Sequence, residues 1–239
     1  MAIDAALLDL AGEGAAFLRL YRWDPFCISF GRHEPAARRY DRSRIGELGL
    51  DCVRRPTGGR AVWHARELTY SVAAPLAAFG GLKLAYGQIH AMLAGALGAL
   101  GARAELALSP ASGALPPAAG PCFSAPVGGE VMLGHRKVVG SAQLRQGDAF
   151  LQHGSLLLED DQSLLRGLAG ILGPETPEVA LAQELDRPVG FDEAAAAVAE
   201  AAASCWNASS PQTVLPAAVT TGAERHADRF RDPGWTWQR

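Results

Sequence analysis

The chain has 239 residues, of which 49% are apolar, and its formal net charge is −3. This length is enough for one large domain with a sizeable core, and the near-neutral charge argues against a nucleic-acid-binding protein, a class that is usually strongly basic. No apolar run approaches the roughly 18 residues of a membrane helix, and the first residues, MAIDAALLDLAGEG, lack the basic start of a signal peptide.

The first half of the chain predicts helices and strands in a mixed order. Apolar residues at helical spacing predict a helix over Ala2 to Ala11 and a longer, glycine-terminated helix over residues 81–101. Short apolar or alternating runs predict strands over residues 17–23, 26–31, 51–55, 67–74 and 103–108. A short helix is predicted over residues 42–49, and the Pro/Gly/Ala-rich residues 109–121 are predicted to form a loop.

The second half of the chain predicts strands first and helices afterwards. Residues 129–158 predict a meander of three strands with turns at Gly134-His135 and Gly147-Asp148. From Asp160 onward the alanine-rich chain predicts helices, most clearly in FDEAAAAVAEAAASC. Because no internal repeat or strong linker interrupts this order, we expect one domain over residues 1–239. Its core covers about 1–160 and its helical C-terminal part about 160–239.

A glycine turn surrounded by cations is the first candidate site, in RRPTGGRAVWHARELTYS, residues 54–71. Gly58 and Gly59 let a ligand approach the backbone closely and expose its N–H groups. The pattern is neither a P-loop nor GxGxxG. Taken alone, a tight turn between strands explains it as well as a binding loop does, and a lone histidine such as His64 is more often structural than catalytic.

Cysteine and lysine supply two further candidates. Cys122, in PCFSAP, stands where the loop meets an expected strand, and a partly exposed thiol near cations is reactive. Without context, a small core residue is the commoner interpretation, as we predict for Cys27, Cys52 and Cys205. Lys137 is either a turn charge that faces water or a cation directed at an oxyanion or thiolate. The four scattered cysteines, without CxxC, favour reduced thiols in a cytoplasmic protein over disulfides or zinc.

Three stretches together, RRPTGGRAVWHARELTYSVAAP, PCFSAP and RKVVGSAQLRQGDAFLQHGSLLL, resemble in order and spacing the catalytic domain of the biotin/lipoate A/B protein ligase-type family. MAIDAALL and LRLYRWDPFCISFGR fit the beginning of that family, so the resemblance covers about residues 1–160. ATP-dependent lipoate ligases of the family typically have a third glycine in the turn and Asn-Asp at the place of Pro121-Cys122. The chain therefore resembles the branch that transfers octanoyl groups from acyl carrier protein through a cysteine.

Two positions depart from the family pattern. The acid that usually follows the motif histidine is Ala65 here, and the chain begins at the first helix without the short strand that usually precedes it. We therefore expect a truncated or misassigned start. The resemblance still implies an α+β fold, with a mixed, mostly antiparallel sheet flanked by helices, as in class II synthetase-like and biotin-protein-ligase-like catalytic domains.

The resemblance also implies the roles of particular residues. Cys122 would be the nucleophile, and Lys137 would hold the thioester carbonyl oxygen and stabilise the oxyanion. The substrate-binding residues would be Arg55, Gly58, Gly59, Ala61, Val62 and His64 along an acyl tunnel, with Gly140, His153 and Gly154 near Lys137 at its carboxyl end. No metal and no cofactor are expected.

The implied activity is the transfer of an octanoyl group from octanoyl-acyl carrier protein to a lysine of a lipoyl domain or of a glycine cleavage H-type protein. This reaction belongs to lipoate biosynthesis and needs no ATP, because the transfer from a thioester to an amide is downhill. A cysteine nucleophile divides this transfer into two easier steps. Neither a nucleic acid nor a membrane is expected as a partner. Three alternatives stay open: an ATP-dependent lipoate or biotin ligase, an octanoyl amidotransferase, and a non-catalytic binder of lipoyl domains or fatty acids.

An arginine cluster in GRHEPAARRYDRSR has two equally good interpretations. Its members are Arg32, Arg38, Arg39, Arg42 and Arg44. They either form a solvated helix face or a docking patch for an acidic acyl carrier protein, since opposite charges accelerate encounter.

Overall fold

Ten strands and ten helices form the part of the chain that the computed structural model describes, residues 1–108, 128–170, 178–209, 211–212 and 214–238. The strands are β1 Phe17–Tyr21, β2 Cys27–Phe30, β3 Asp51–Arg54, β4 Val62–His64, β5 Glu67–Pro75, β6 Ala104–Leu106, β7 Val131–Leu133, β8 Arg136–Lys137, β9 Val139–Gln146 and β10 Ala149–Leu157. The helices are α1 Ala2–Gly12, α2 Ala36–Arg39, α3 Arg42–Glu47, α4 Leu76–Phe79, α5 Leu82–Ala99, α6 Ser163–Leu168, α7 Leu181–Leu185, α8 Phe191–Trp206, α9 Ala217–Arg231 and α10 Pro233–Thr236.

The strands form three sheets. The largest has the order β1-β5-β10-β9 and is antiparallel throughout, as is the sheet β6-β7-β8. In the sheet β3-β2-β4, β2 runs parallel to β3 and antiparallel to β4. The predicted fold class, a mixed and mostly antiparallel α+β arrangement with flanking helices, is confirmed.

The two faces of the central strand β5 have different neighbours. Since successive side chains of a strand point to opposite faces, Leu68, Tyr70 and Val72 share one face, and they pack in the main core with residues of α5 and α8. On the other face, Ala73 packs against α1 and α9. Thr69 and Ser71 on that same face are polar although both are buried. These buried polar residues, on the face of β5 opposite the main core, indicate where the candidate site lies.

The predicted meander of three strands over residues 129–158 is wrong in its middle strand. The turns fall where they were predicted, with positive φ angles at Gly134 and Gly147. Val138, however, separates β8 from β9: its N–H donates to the Val131 carbonyl, and its own carbonyl accepts from the Leu157 N–H. The chain therefore passes at Val138 from the sheet of β7 to the sheet of β10.

The end of the chain is tied to the loop after β2 by a single buried arginine. The Arg54 guanidinium donates to the carbonyls of Gly31 and Glu34 and to the carbonyls of Trp235, Thr236 and Gln238, at 2.5–3.1 Å. The described elements after Asp160 are helices. In the described part of the chain, no helix has both the length and the apolar character needed to cross a membrane.

The three described cysteines differ in their exposure to solvent. Cys27 is buried and Cys52 is partly buried, in agreement with their predicted place in strands that face a core. The prediction that Cys205 is a core residue is wrong, because its side chain is exposed near the end of α8. Helical spacing in an alanine-rich segment did not identify which face of α8 packs on the core.

Candidate active site

A narrow cleft lies between the largest sheet and the segment that joins β3 to β4. The cleft is lined by Met1, Tyr21, Trp23, Arg55, Val62, His64, Thr69, Gly140, Ser141, Ala142, His153, Gly154 and Ser155. Apart from Met1, which precedes α1, these residues come from β1, β4, β5, β9 and β10 and from the segments that follow β1 and β3. Six of the nine predicted substrate-binding residues are therefore brought to one place: Arg55, Val62, His64, Gly140, His153 and Gly154.

The other three predicted binding residues lie behind the cleft surface. The Gly58 carbonyl accepts a hydrogen bond from Arg55 at 3.2 Å. A side chain on Gly31 would lie 1.8 Å from the Gly59 carbonyl oxygen, so this turn rests directly on the chain after β2. Ala61 is fully buried in a cluster with Phe30 and Trp63. These three positions shape the turn and are not part of the cleft lining.

Arg55 holds the glycine turn in place. Its guanidinium donates to the Ser29 carbonyl at 2.9 Å, to the Ser29 hydroxyl at 2.6 Å and to the Arg60 carbonyl at 2.7 Å. A planar guanidinium presents its donors in a rigid fork. Arg55 therefore fixes both β2 and the turn, and it presents an oriented positive charge at the wall of the cleft.

His64 is fixed on three sides. Its Nδ1 donates to the Glu67 carboxylate at 2.6 Å, its Nε2 lies 2.5 Å from the Ser29 hydroxyl, and its ring stacks on Trp23 with centroids 4.7 Å apart. Ser29, His64 and Glu67 share the connectivity of a hydrolase triad. Ser29, however, is fully buried outside the cleft lining and also binds Arg55, so it is not placed to act as a nucleophile.

The carboxylate that contacts His64 was missed by the sequence analysis. The position after the histidine is Ala65, and the contact comes instead from Glu67 at the start of β5. Glu67 also accepts a hydrogen bond from the Thr69 hydroxyl. The sequence feature that could have identified it is an acidic residue at the first position of a strand that is otherwise apolar or uncharged.

His153 is neutral and oriented by two residues that the sequence analysis also missed. Burial lowers the pKa of His153, so its Nδ1–H donates to Asp4 at 3.3 Å and its Nε2 accepts from the Thr57 hydroxyl at 2.6 Å. Asp4 is a fully buried residue of α1 that also accepts from Arg19 at 2.9 Å. Burial alone would raise the pKa of Asp4, but the hydrogen bond from His153 and the charge of Arg19 hold it well below its usual value.

A third histidine, which the sequence analysis did not select, lies beneath the cleft. His90 of α5 is fully buried, and burial lowers its pKa to about 4. As a neutral ring it donates from Nδ1 to the Gly129 carbonyl at 2.6 Å and accepts at Nε2 from the Ser141 hydroxyl at 2.8 Å. The Tyr70 hydroxyl donates to Ser141 at 2.6 Å and accepts from Gln152 at 2.9 Å. This chain of hydrogen bonds joins α5 to the cleft and to the segment before Glu130.

Lys137 is not a surface charge. Its side chain is buried, and its ammonium lies 2.5 Å from the carboxylate of Glu130, which is also buried. Lys137 lies just before β9, three residues from Gly140 at the cleft wall, but it is not itself among the described residues that line the cleft. Cys122 and the predicted loop over residues 109–121 lie outside the described residues.

This arrangement defines a class of protein: a domain with a cleft walled by a sheet, a glycine turn held behind the cleft by Arg55, and a buried lysine three residues before the cleft-lining Gly140. The family model of the lipoyl protein ligase A/B catalytic domain matches residues 1–203. The chain belongs to that family. Among the described residues, no group of three or more His, Cys, Asp or Glu side chains could hold a metal ion. The predicted family is confirmed.

Curated relatives show which members of the family the chain is similar to. The chain is 43% identical over 164 residues to "Octanoyltransferase LipM" of Moorella thermoacetica, an alignment that covers 66% of this chain and 60% of the relative. It is 33% identical to the protein of the same name from Exiguobacterium sibiricum over 261 aligned positions, which cover 100% of this chain and 94% of the relative. These names agree with the branch that the sequence resembles.

Solved structures share the fold at low sequence identity. A lipoate-protein ligase A bound with ATP matches with a TM-score of 0.81 and 20% identity, over 99% of this chain and 92% of that one. A chain from an archaeal lipoylation system, a bi-partite lipoate protein ligase and its E2 lipoyl domain from Thermoplasma acidophilum, matches with a TM-score of 0.69 and 18% identity, over 100% and 92%. At these identities the likeness establishes the fold alone.

Proposed function

We propose that the protein transfers an octanoyl group from a carrier thioester to a lysine amine, with Cys122 as the nucleophile. The observation that carries the proposal is the 33% identity to an octanoyltransferase over the whole chain. Two observations support it: Pro121-Cys122 stands where ATP-dependent ligases of the family typically have Asn-Asp, and the cleft brings together six residues expected to bind the substrate.

The proposed reaction has two balanced steps. In the first, the Cys122 thiolate attacks the thioester carbonyl, the bond to the carrier sulfur breaks, and the carrier thiol takes up the proton that Cys122 lost. In the second, the lysine amine attacks the octanoyl-Cys122 carbonyl, an amide forms, and the Cys122 sulfur leaves as the amine loses a proton. No ATP is consumed, because the acyl group enters as an activated thioester.

Lys137 is proposed to stabilise the oxyanion that forms in both steps. Its buried ammonium is compatible with this role because a preorganised cation in a water-poor site stabilises developing negative charge strongly. Glu130 pairs with that cation inside the protein, since a buried charge is costly without a partner.

The proposed donor is octanoyl-acyl carrier protein, and the proposed acceptor is a lipoyl domain or a glycine cleavage H-type protein. A lipoyl domain accompanies the ligase of the archaeal lipoylation system that shares this fold. We also propose a cytoplasmic location, which the free thiols of Cys27, Cys52 and Cys205 support. We also propose that residues 1–239 act as one catalytic domain, supported by the bonds that tie residues 235–238 to Arg54.

Intact-mass spectrometry tests the proposal directly. Incubation with octanoyl carrier protein should add one octanoyl group to the wild-type protein, and later addition of an apo lipoyl domain should remove it and yield the octanoyl amide. Cys122→Ala should abolish both signals. Cys205→Ala is the matched control, because Cys205 is an exposed thiol and its loss should leave both signals unchanged.

The same assay separates the alternatives. Full amide formation by Cys122→Ala would overturn the proposal. Amide formed only from free octanoate with ATP and Mg²⁺ would indicate a ligase, and donation from an octanoyl lipoyl domain but not from the carrier would indicate an amidotransferase. Tight binding of the lipoyl domain without any acyl transfer would indicate a binding protein.

A further inference from the structure

In the part of the chain that the structure describes, the polar side chains that line the cleft form hydrogen bonds inside the protein, with one exception. Arg55 binds Ser29, and His64 binds Glu67. The remaining engaged pairs are Trp23 with Thr69, Thr69 with Glu67, Ser141 with His90, His153 with Thr57, and Tyr21 with Asp4. Among the polar side chains that line the cleft in the described residues, the hydroxyl of Ser155 has no hydrogen-bond partner.

Ser155 is held firmly in the centre of the largest sheet. It lies in β10, opposite Thr69 of β5 and Gly140 of β9, and its residue surface is 1% exposed. Glu67 Oε2 is the other buried side-chain atom without a partner among the described residues, but Glu67 does not line the cleft. A buried hydroxyl that makes no hydrogen bond is costly. Because Ser155 lies at the cleft wall, the missing partner of its hydroxyl can be a polar group of a bound ligand.

The chemistry of the cleft indicates which group that is. Because the other lining side chains are satisfied internally, an acyl chain can lie against them without breaking hydrogen bonds. An octanoyl thioester has a single strong acceptor, its carbonyl oxygen, and the cleft has a single uncommitted side-chain donor among its described residues. We infer that Ser155 binds the substrate: its hydroxyl donates a hydrogen bond to the carbonyl oxygen of the bound octanoyl group.

The neighbours of Ser155 agree with this assignment. Gly140, directly opposite on β9, lies three residues after Lys137, so Ser155 pairs with the strand that begins two residues after the proposed oxyanion-binding lysine. Gly154, the residue before Ser155, has no room for a side chain, since a Cβ there would lie 2.5 Å from the Gly140 carbonyl oxygen. The two strands therefore approach closely at this point. The inference rests on the proposed octanoyl transfer and adds a second donor to it.

Two readouts on Ser155→Ala test the inference. The unfolding temperature should be unchanged or slightly higher, because the substitution removes no hydrogen bond of the free protein. The value of kcat/KM with a small octanoyl thioester should fall about tenfold, and calorimetry should show weaker binding of octanamide, an unreactive ligand with the same carbonyl, by a similar factor.

Ser141→Ala is the matched comparison. Ser141 also lines the cleft, but its hydroxyl is bonded to His90 and Tyr70, so its loss should lower the unfolding temperature. A Ser155→Ala protein with octanamide affinity and kcat/KM within twofold of wild type would overturn the inference, as would a wild-type protein that does not bind octanamide. If octanamide binding depends on Ser155 but the wild type transfers no octanoyl group, the proposed function fails and the carbonyl-binding role stands.

Discussion

The ammonium of Lys137 and the carboxylate of Glu130 form an ion pair at 2.5 Å in which both side chains are buried. Breaking such a pair by removal of one partner is expensive, typically about 3–5 kcal/mol, because the other charge stays buried. Lys137 is therefore expected to stabilise the fold, and this contribution can be separated from its proposed role in the chemistry.

The first prediction separates these contributions. Lys137→Ala should reduce turnover about 100-fold or more and should also lower the free energy of unfolding, since the buried Glu130 loses the ammonium that it pairs with. The double variant Lys137→Met with Glu130→Gln should recover most of that stability without recovering turnover. Urea unfolding and single-turnover acylation measure the two effects. Turnover within about threefold of wild type in the folded double variant would rule out a catalytic role for Lys137.

The second prediction concerns the pH dependence of stability through His90. An unfolded histidine takes up a proton below about pH 6.5, whereas the folded His90 does so only near its lowered pKa of about 4. The unfolded state therefore binds more protons in this range, and stability falls as the pH falls from about 6.5 to about 4. The size of the effect is about 3 kcal/mol by linkage.

His90→Asn should remove this part of the pH dependence. The free energy of unfolding, measured in urea at intervals from pH 7 to pH 4, should fall less steeply in the variant than in the wild type. His153, whose pKa is also lowered by burial, is present in both proteins and contributes equally to both curves. Parallel curves would show that the pKa of His90 is not lowered in the folded protein, and would contradict this prediction.

The third prediction tests the close contact beneath the glycine turn. Gly31→Ala would place a methyl group 1.8 Å from the Gly59 carbonyl oxygen, so the turn must move and the unfolding free energy should fall by about 2–3 kcal/mol. Gly58→Ala is the control, because a Cβ there meets no atom within 4 Å. Its stability should stay within about 0.5 kcal/mol of wild type. Equal thermal unfolding curves for the two variants would contradict the described packing.

The fourth prediction concerns the arginine cluster as a docking surface for the acidic carrier protein. Arg32, Arg38 and Arg42 are exposed, whereas Arg39 pairs with the buried Glu34 at 3.2 Å and is better left intact. Arg229 of α9 is exposed near Arg32. Partial burial and the charge of Arg32 lower the pKa of Arg229, so α9 adds a further arginine to this surface. Charges of this kind act mainly on the rate of encounter and are screened by salt over about 8 Å.

Reversal of Arg32, Arg38 and Arg42 to glutamate should raise KM for octanoyl carrier protein and flatten its salt dependence. Reaction with a small octanoyl thioester should not change. A control triple reversal at the exposed Arg103, Arg145 and Arg187 makes the same change in net charge elsewhere on the chain. Equal slowing with both donors would mean that the three arginines support the fold and not the carrier.

Much of the local structure could be predicted because it depends on neighbours along the chain. The apolar spacing of residues 2–11 and 81–101 corresponds to α1 and α5, and the alternating run at residues 67–74 corresponds to β5. The family and the fold class followed from motifs that are each continuous in sequence. The same reasoning selected Lys137 but left its environment open between water and a buried site.

Only the tertiary structure determined the partners of the selected residues. His153 is oriented by Asp4, which is 149 positions away in the chain, and by Thr57, which is 96 positions away. No local pattern encodes such contacts, because they depend on how α1 and the glycine turn pack against β10. The split of the predicted strand at Val138 and the unpartnered hydroxyl of Ser155 have the same origin. Periodicity along the chain assigns a residue to a face of a strand, but the elements that pack on that face decide which hydrogen bonds it makes.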